Sequence, residues 1–178
     1  MRRTQPGVKF QLGWYLPRPD ANAPNVADVA ELVAKVLADA PIDDAILDAI
    51  ALSACADGVT NVELVAILRI ARELPSLRDR PPAEIDARVH AAFDRLTADG
   101  LEARLQALGK MPMDEATRRH MFTAAAVVQY ADGQVTNAEN EFLLDLADVL
   151  GLDDVKVNAI IAEIELELGI EPGALSER

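Results

Sequence analysis

Apolar positions recur along this chain with a helical period of about 3.6 residues, and proline, glycine and capping residues interrupt them at intervals. Asn25 caps a predicted first helix over 26–39, in which Val26, Val29, Val33, Val36 and Leu37 share a face before Pro41. A second helix, 42–56, carries Ile42, Ala45, Ile46, Ala49, Ile50 and Leu52. The third, 60–74, presents Leu64, Val65, Leu68 and Ala71 and stops at Pro75. A fourth starts at Pro81-Pro82, where proline suits a first turn, and runs through Ile85, Val89, Ala92, Phe93 and Leu96 to Asp99-Gly100. A connector helix over 101–108 leads through Gly109 and Pro112 to Asp114, the cap of a sixth helix over 115–131. The seventh, 137–150, turns Phe142, Leu143, Leu146, Ala147 and Leu150 inward and ends at Gly151. Asp153 then caps an eighth over 153–168, with Val157, Ile160, Ile161, Ile164 and Leu168. No alternating strand pattern bounded by hairpin signals occurs, so no sheet is expected.

One stretch occurs twice. Ala56-Asp57-Gly58-Val59-Thr60-Asn61-Val62-Glu63 returns as Ala131-Asp132-Gly133-Gln134-Val135-Thr136-Asn137-Ala138-Glu139, one residue longer. Each copy joins two predicted helices, which points to a duplicated helix–turn–helix unit. Gly58 and Gly133 suit the left-handed position that ends a helix. Thr60 with Glu63, and Thr136 with Glu139, have capping-box spacing. Asp57 and Asp132 sit where the preceding helix presents unpaired carbonyls and the negative end of its dipole, an unfavourable place for a carboxylate alone. Hydrogen bonds to turn amides, or a cation shared with those carbonyls, would reverse the sign.

The expected architecture is therefore all-α: a compact helical domain over 26–168 made of two similar three-helix units, about 42–96 and 115–168, plus the N-terminal and connector helices. Residues 1–25 form an extended arm with Pro6, Pro17, Pro19 and Pro24, whose Phe10, Leu12, Trp14 and Tyr15 favour docking on some surface, and 169–178 form a tail.

The Ala-Asp-Gly-x-Val-Thr-x-x-Glu pattern in a duplicated helical chain resembles the TerB-like family of tellurite-resistance proteins. That resemblance implies a small all-helical bacterial protein, a place in tellurite or general chemical stress response, and acidic motif residues proposed to bind a metal ion. Ala131 to Glu139 fits the pattern in full, whereas the first copy lacks one residue between Gly58 and Val59.

The candidate metal ligands are Asp57, Glu63, Asp132 and Glu139, with Glu141 or Asp145 able to contribute one turn later. Carboxylate and carbonyl oxygens suit Ca²⁺, Mg²⁺ or Mn²⁺. The competing reading is that each motif only ends one helix and caps the next, each cap being worth about 1 kcal/mol. An EF-hand is excluded, because neither copy has that loop's alternating oxygen ligands and final glutamate.

Composition narrows the function classes. Apolar residues make up 51% of the 178 and aromatics only 4%, so the core must be Ala, Leu, Val and Ile. With 17 basic and 30 acidic residues the net charge is −13, which opposes binding to nucleic acid or to an anionic membrane and favours cations or a basic or amphipathic protein partner. Cys55 is the single cysteine and reads as a packing residue. No apolar run is of signal or membrane-spanning length, so a cytoplasmic location and no direct membrane insertion are expected. His90 and His120 fall in no metal or nucleophile pattern, and no Walker, dinucleotide or Gly-x-Ser-x-Gly motif is present. The expected function is a non-catalytic module with a divalent cation at its acidic turns. The alternatives are a metal-independent interaction domain using an acidic surface or helix groove, and a hydrolase using Asp132 and Glu139 on metal-bound water.

Overall fold

In the computed structural model the described residues are 44–55, 61–74, 77–130 and 136–170, together with Asp28, Val29, Glu31, Leu32 and Lys35; for 61–63 and for 73 only the backbone is described. They form seven helices: α1 (Asp44–Ala54), α2 (Asn61–Glu73), α3 (Pro82–Asp99), α4 (Leu101–Gly109), α5 (Glu115–Gln129), α6 (Asn137–Leu150) and α7 (Asp154–Glu167). Asp28, Val29, Glu31, Leu32 and Lys35 are helical as well, and Val29 and Leu32 are buried in the core. No strand occurs among the described residues, so the fold is all-α as expected.

Two helices form the centre. Every residue of α1 from Ala45 to Ala54 is buried, as is every residue of α5 from Met121 to Gln129. Their facing surfaces are rich in alanine, which lets the axes approach closely and leaves Phe122, Ile46 and Ile50 to fill the remaining volume. Ser53 Oγ donates to the Ala125 carbonyl at 2.7 Å across this contact.

The packing repeats with the sequence. α1 meets α2 and α3 as α5 meets α6 and α7, and the two units are tied by reciprocal contacts of α2 with α5 and of α6 with α1. Each unit thus completes the other's core. The connector α4 breaks the symmetry by packing against α1, α3 and α6. It approaches α6 so closely that a Cβ on Gly109 would lie 2.8 Å from the Val149 carbonyl oxygen.

Local signals explain the boundaries. Pro82 opens α3 after Pro81, Asp114 Oδ1 accepts from the Thr117 amide at 2.8 Å, and Asp153 Oδ1 accepts from the Lys156 amide at 2.9 Å. The Thr117 hydroxyl, then its amide, with His120 nearby, hold the Asp114 carboxyl below the usual carboxylate range. Gly151 ends α6 in the left-handed conformation at φ 66°. Gly169 does the same for α7 at φ 69°, and the Ile170 amide reaches back to the Glu165 carbonyl at 2.8 Å. One expectation needs correction. The inward face of α2 is Ala66, Ile67, Ile70 and Ala71 followed by Leu74, while Val65 points outward at 48% exposure. In α1 no residue from Ala45 to Ala54 is exposed, and Asp48, in its middle, is 5% exposed. Asn25, Pro41 and Pro75, the arm 1–25 and residues 171–178 lie outside the described residues.

Candidate functional site

The second Asp-Gly motif leaves α5 and enters α6, and both ends are described. At the α6 end the capping box is formed in full. Glu139 Oε2 accepts from the Thr136 amide at 2.6 Å, and Thr136 Oγ1 accepts from the Glu139 amide at 3.2 Å. Glu139 is only 3% exposed, so its carboxylate is fixed in place as well as paired. Thr and Glu at this spacing satisfy two amides that a helix start leaves open.

At the α5 end two polar side chains face inward from a helix that is otherwise apolar. Gln129, 1% exposed, donates from Nε2 to the Glu139 carbonyl oxygen at 3.2 Å, which links the last turn of α5 to the first turn of α6. That bond fixes which way the amide points, since the reverse orientation would set oxygen against oxygen. Its Oε1 is buried and has no hydrogen-bond partner among the described residues. A buried oxygen left in this state costs about 1–3 kcal/mol unless something donates to it or binds it.

Tyr130, 4% exposed, is hydrogen-bonded to Glu165 of α7, itself 6% exposed. Burial, and secondarily the charge and hydrogen bond of Glu165, push the phenol up to about 12. Two polar pairs thus lie at the end of α5: Gln129 with Glu139 of α6, and Tyr130 with Glu165 of α7.

Of the four candidate ligands, Glu139 alone has a described side chain. Asp57 and Asp132 lie outside the described residues, and Glu63 is seen only as backbone in the first turn of α2. Among the described residues no three His, Cys, Asp or Glu side chains come together as a metal cage. Glu141 and Asp145 are exposed on the outer face of α6. The Ser53–Ala125 bond sets the end of α1 against α5 four residues before the end of that helix, about 6 Å along its axis.

Elsewhere the polar groups are structural. Arg118 Nη1 donates to the Leu150 carbonyl at the C-terminus of α6 at 3.3 Å, a favourable end for a cation. Arg119 pairs with Glu163 at 2.5 Å, and Lys35 with Glu167 at 2.9 Å. These two pairs border a hollow of about 170 Å³ with Leu32, Ile160 and Ile164 on its walls and His120 at its side. His90 Nδ1 contacts the Asp86 carbonyl of its own helix at 2.6 Å. Cys55, just after α1, is half-buried.

A family model described as tellurite resistance protein TerB matches residues 43–162, about two-thirds of the chain. The chain belongs to the TerB family. No curated protein and no solved structure matches it. The TerB match takes in both acidic motifs and begins one residue before α1. It ends inside α7, so Gln129, Tyr130 and Glu139 fall within the TerB region and Glu165 lies beyond it.

Sequence reading singled out Glu139 and missed Gln129, Tyr130 and Glu165. Their signal was present as polar residues inside apolar runs: Gln129 follows Ala124-Ala125-Ala126-Val127-Val128, and Glu165 stands between Ile164 and Leu166.

Proposed function

We propose that this TerB-family chain is a non-catalytic helical module that holds a divalent cation at its second Asp-Gly turn, in the service of a chemical stress response in the cytoplasm. The observation that carries the reading is Gln129 Oε1, a buried oxygen without a hydrogen-bond partner among the described residues, on the side chain whose Nε2 holds the Glu139 carbonyl. Amide and carboxylate oxygens are the donors that Ca²⁺, Mg²⁺ and Mn²⁺ prefer. Gln129, Glu139 and Asp132 are the residues that would hold the ion, and a cation also removes the electrostatic penalty of Asp132 at a helix C-terminus. When bound, the ion would tie α5 to α6. Asp57 and Glu63 belong to the corresponding turn of the first unit.

The completed capping box favours a second reading, a metal-independent interaction domain, since Thr136 and Glu139 then have a purely architectural task. Thermal unfolding of metal-stripped protein separates the two. A cation at about a hundred times its dissociation constant stabilises by roughly 2.7 kcal/mol, about 5–11 °C in a domain of this size. The expected result is that Ca²⁺, Mg²⁺ or Mn²⁺ raises the midpoint and that Asp132→Asn and Gln129→Leu each remove the increase. Midpoints indifferent to every ion would leave the turn as a cap.

A further inference from the structure

Helix α7 is thinly anchored. Ile160, Ile164 and Glu165 are its buried residues, while Val155 and Leu166 stand 79% and 78% exposed. Among the described helices its main support is α5. Three ion pairs run along its edges, Lys156–Glu115 at 2.6 Å, Arg119–Glu163 at 2.5 Å and Lys35–Glu167 at 2.9 Å. All of them join exposed side chains, so they hold the helix weakly. A helix with so little buried surface opens more readily than the core beneath it.

One of its three anchors is polar. Glu165 accepts a hydrogen bond from the Tyr130 hydroxyl, and the two residues are only 6% and 4% exposed. In such a place a hydrogen bond is stronger than in water and costly to leave unmade. The docked position of α7 therefore depends on where Tyr130 stands.

Tyr130 is also the C-cap of α5. Its amide bonds back to the Val127 carbonyl at 3.2 Å, and Asp132 follows two residues later. Gln129, the residue before it, carries the oxygen assigned to the ion and holds the Glu139 carbonyl of α6. Neighbouring residues thus tie the end of α5 to two different helices, Gln129 to α6 and Tyr130 to α7. They share one planar peptide, so a shift of either carries the other with it.

We propose that Glu165, acting through Tyr130, couples the docking of α7 to ion binding at the second Asp-Gly turn. The inference rests on the cation reading and adds to it the element that the ion controls. An occupied turn tightens α7, and loss of the ion loosens it and uncovers Ile160 and Ile164. The ion thereby decides how much apolar surface the module shows. The coupling is reciprocal: the factor by which the ion favours docked α7 is the factor by which docked α7 raises ion affinity. Glu165 is a positioning residue in this device, and it lies beyond residue 162, where the TerB match ends.

Two measurements on the full chain test the coupling. One is calorimetric titration with Ca²⁺, Mg²⁺ and Mn²⁺, and the other is amide exchange of residues 155–168 by mass spectrometry, with and without the ion that binds. In the unmodified protein the ion should slow that exchange about tenfold. Tyr130→Phe, which keeps the ring that fills the core, and Glu165→Ala should each weaken ion affinity severalfold and abolish the ion's effect on α7, with helical circular dichroism unchanged. Glu165→Gln, whose amide oxygen still accepts from the phenol, should restore both. Slowing of α7 that persists in Tyr130→Phe and Glu165→Ala would overturn the proposal, because the ion would then be acting through global stability. Ion affinity indifferent to both substitutions would also overturn it, and would leave the cation site standing. Failure of all three ions to bind the unmodified protein would remove the cation reading and the coupling with it.

Discussion

Asp48 offers the sharpest test of how this bundle is held together. It is an acid in the middle of a helix buried from Ala45 to Ala54, and its carboxylate joins three elements. Arg95 of α3 donates to Oδ1 from Nε at 3.0 Å and from Nη2 at 2.7 Å, while Arg104 of α4 donates from Nη2 to Oδ2. The Asp48 side chain is 6% exposed, against 33% for Arg95 and 19% for Arg104. Asp48→Ala would leave two guanidinium groups against an apolar wall. Breaking a buried pair in this way costs about 3–5 kcal/mol, and because Arg95 can partly rehydrate the lower end applies, about 3 kcal/mol. In a domain of this size that corresponds to a fall of about 6–12 °C in Tm. Urea unfolding followed by circular dichroism, with Tm from calorimetry, measures both quantities. Asp86→Ala is the control, since it removes only the exposed Arg72–Asp86 pair at 3.0 Å and should cost under about 1 kcal/mol. A double-mutant cycle of Asp48→Ala with Arg104→Met should show coupling above about 1 kcal/mol. A loss for Asp48→Ala no larger than that of Asp86→Ala would refute the reasoning.

Other expectations follow from single contacts. Gly109→Ala pushes a Cβ to 2.8 Å from the Val149 carbonyl and 2.9 Å from its Cβ, so it should destabilise by about 1–3 kcal/mol in denaturant unfolding. Thr136→Ala removes one half of the capping box and should cost about 1 kcal/mol, with faster amide exchange confined to the first turn of α6. For Tyr130 the sign follows from its pKa. The folded phenol stays protonated to about 12 and the unfolded one to about 10, so between these values the unfolded state loses its proton first and stability falls as pH rises. In a Tyr15→Phe protein, absorbance titration of the remaining phenol should give a midpoint near 12, and Glu165→Gln should bring it down.

Much of the bundle is legible in the residues alone because helix signals are local. Proline at a first turn, Asp114 and Asp153 as caps, Gly151 as a stop and the Thr136–Glu139 box each act within four residues of chain, and each occurs in the structure where those residues stand. The duplicated motif was equally plain, and with it membership of the TerB family. What a linear pattern does not carry is the environment of a residue on a helix buried on every side. Sequence reading named the apolar residues of α1 but not the fate of its polar ones; packing against α3, α4 and α5 buries every residue from Ala45 to Ala54, and Asp48 became buried and paired with arginines 47 and 56 positions away. The inward face of α2 was likewise chosen by its neighbours α1, α3 and α5, among apolar residues too numerous for the period to decide. Gln129, Tyr130 and Glu165 show the same division. Sequence marks them as polar interruptions, and only the packing of α5 against α6 and α7 pairs Gln129 with Glu139 and Tyr130 with Glu165 and leaves Gln129 Oε1 buried with no donor among the described residues. Secondary structure was set by contacts close along the chain, whereas burial and charge pairing were set by contacts between distant helices.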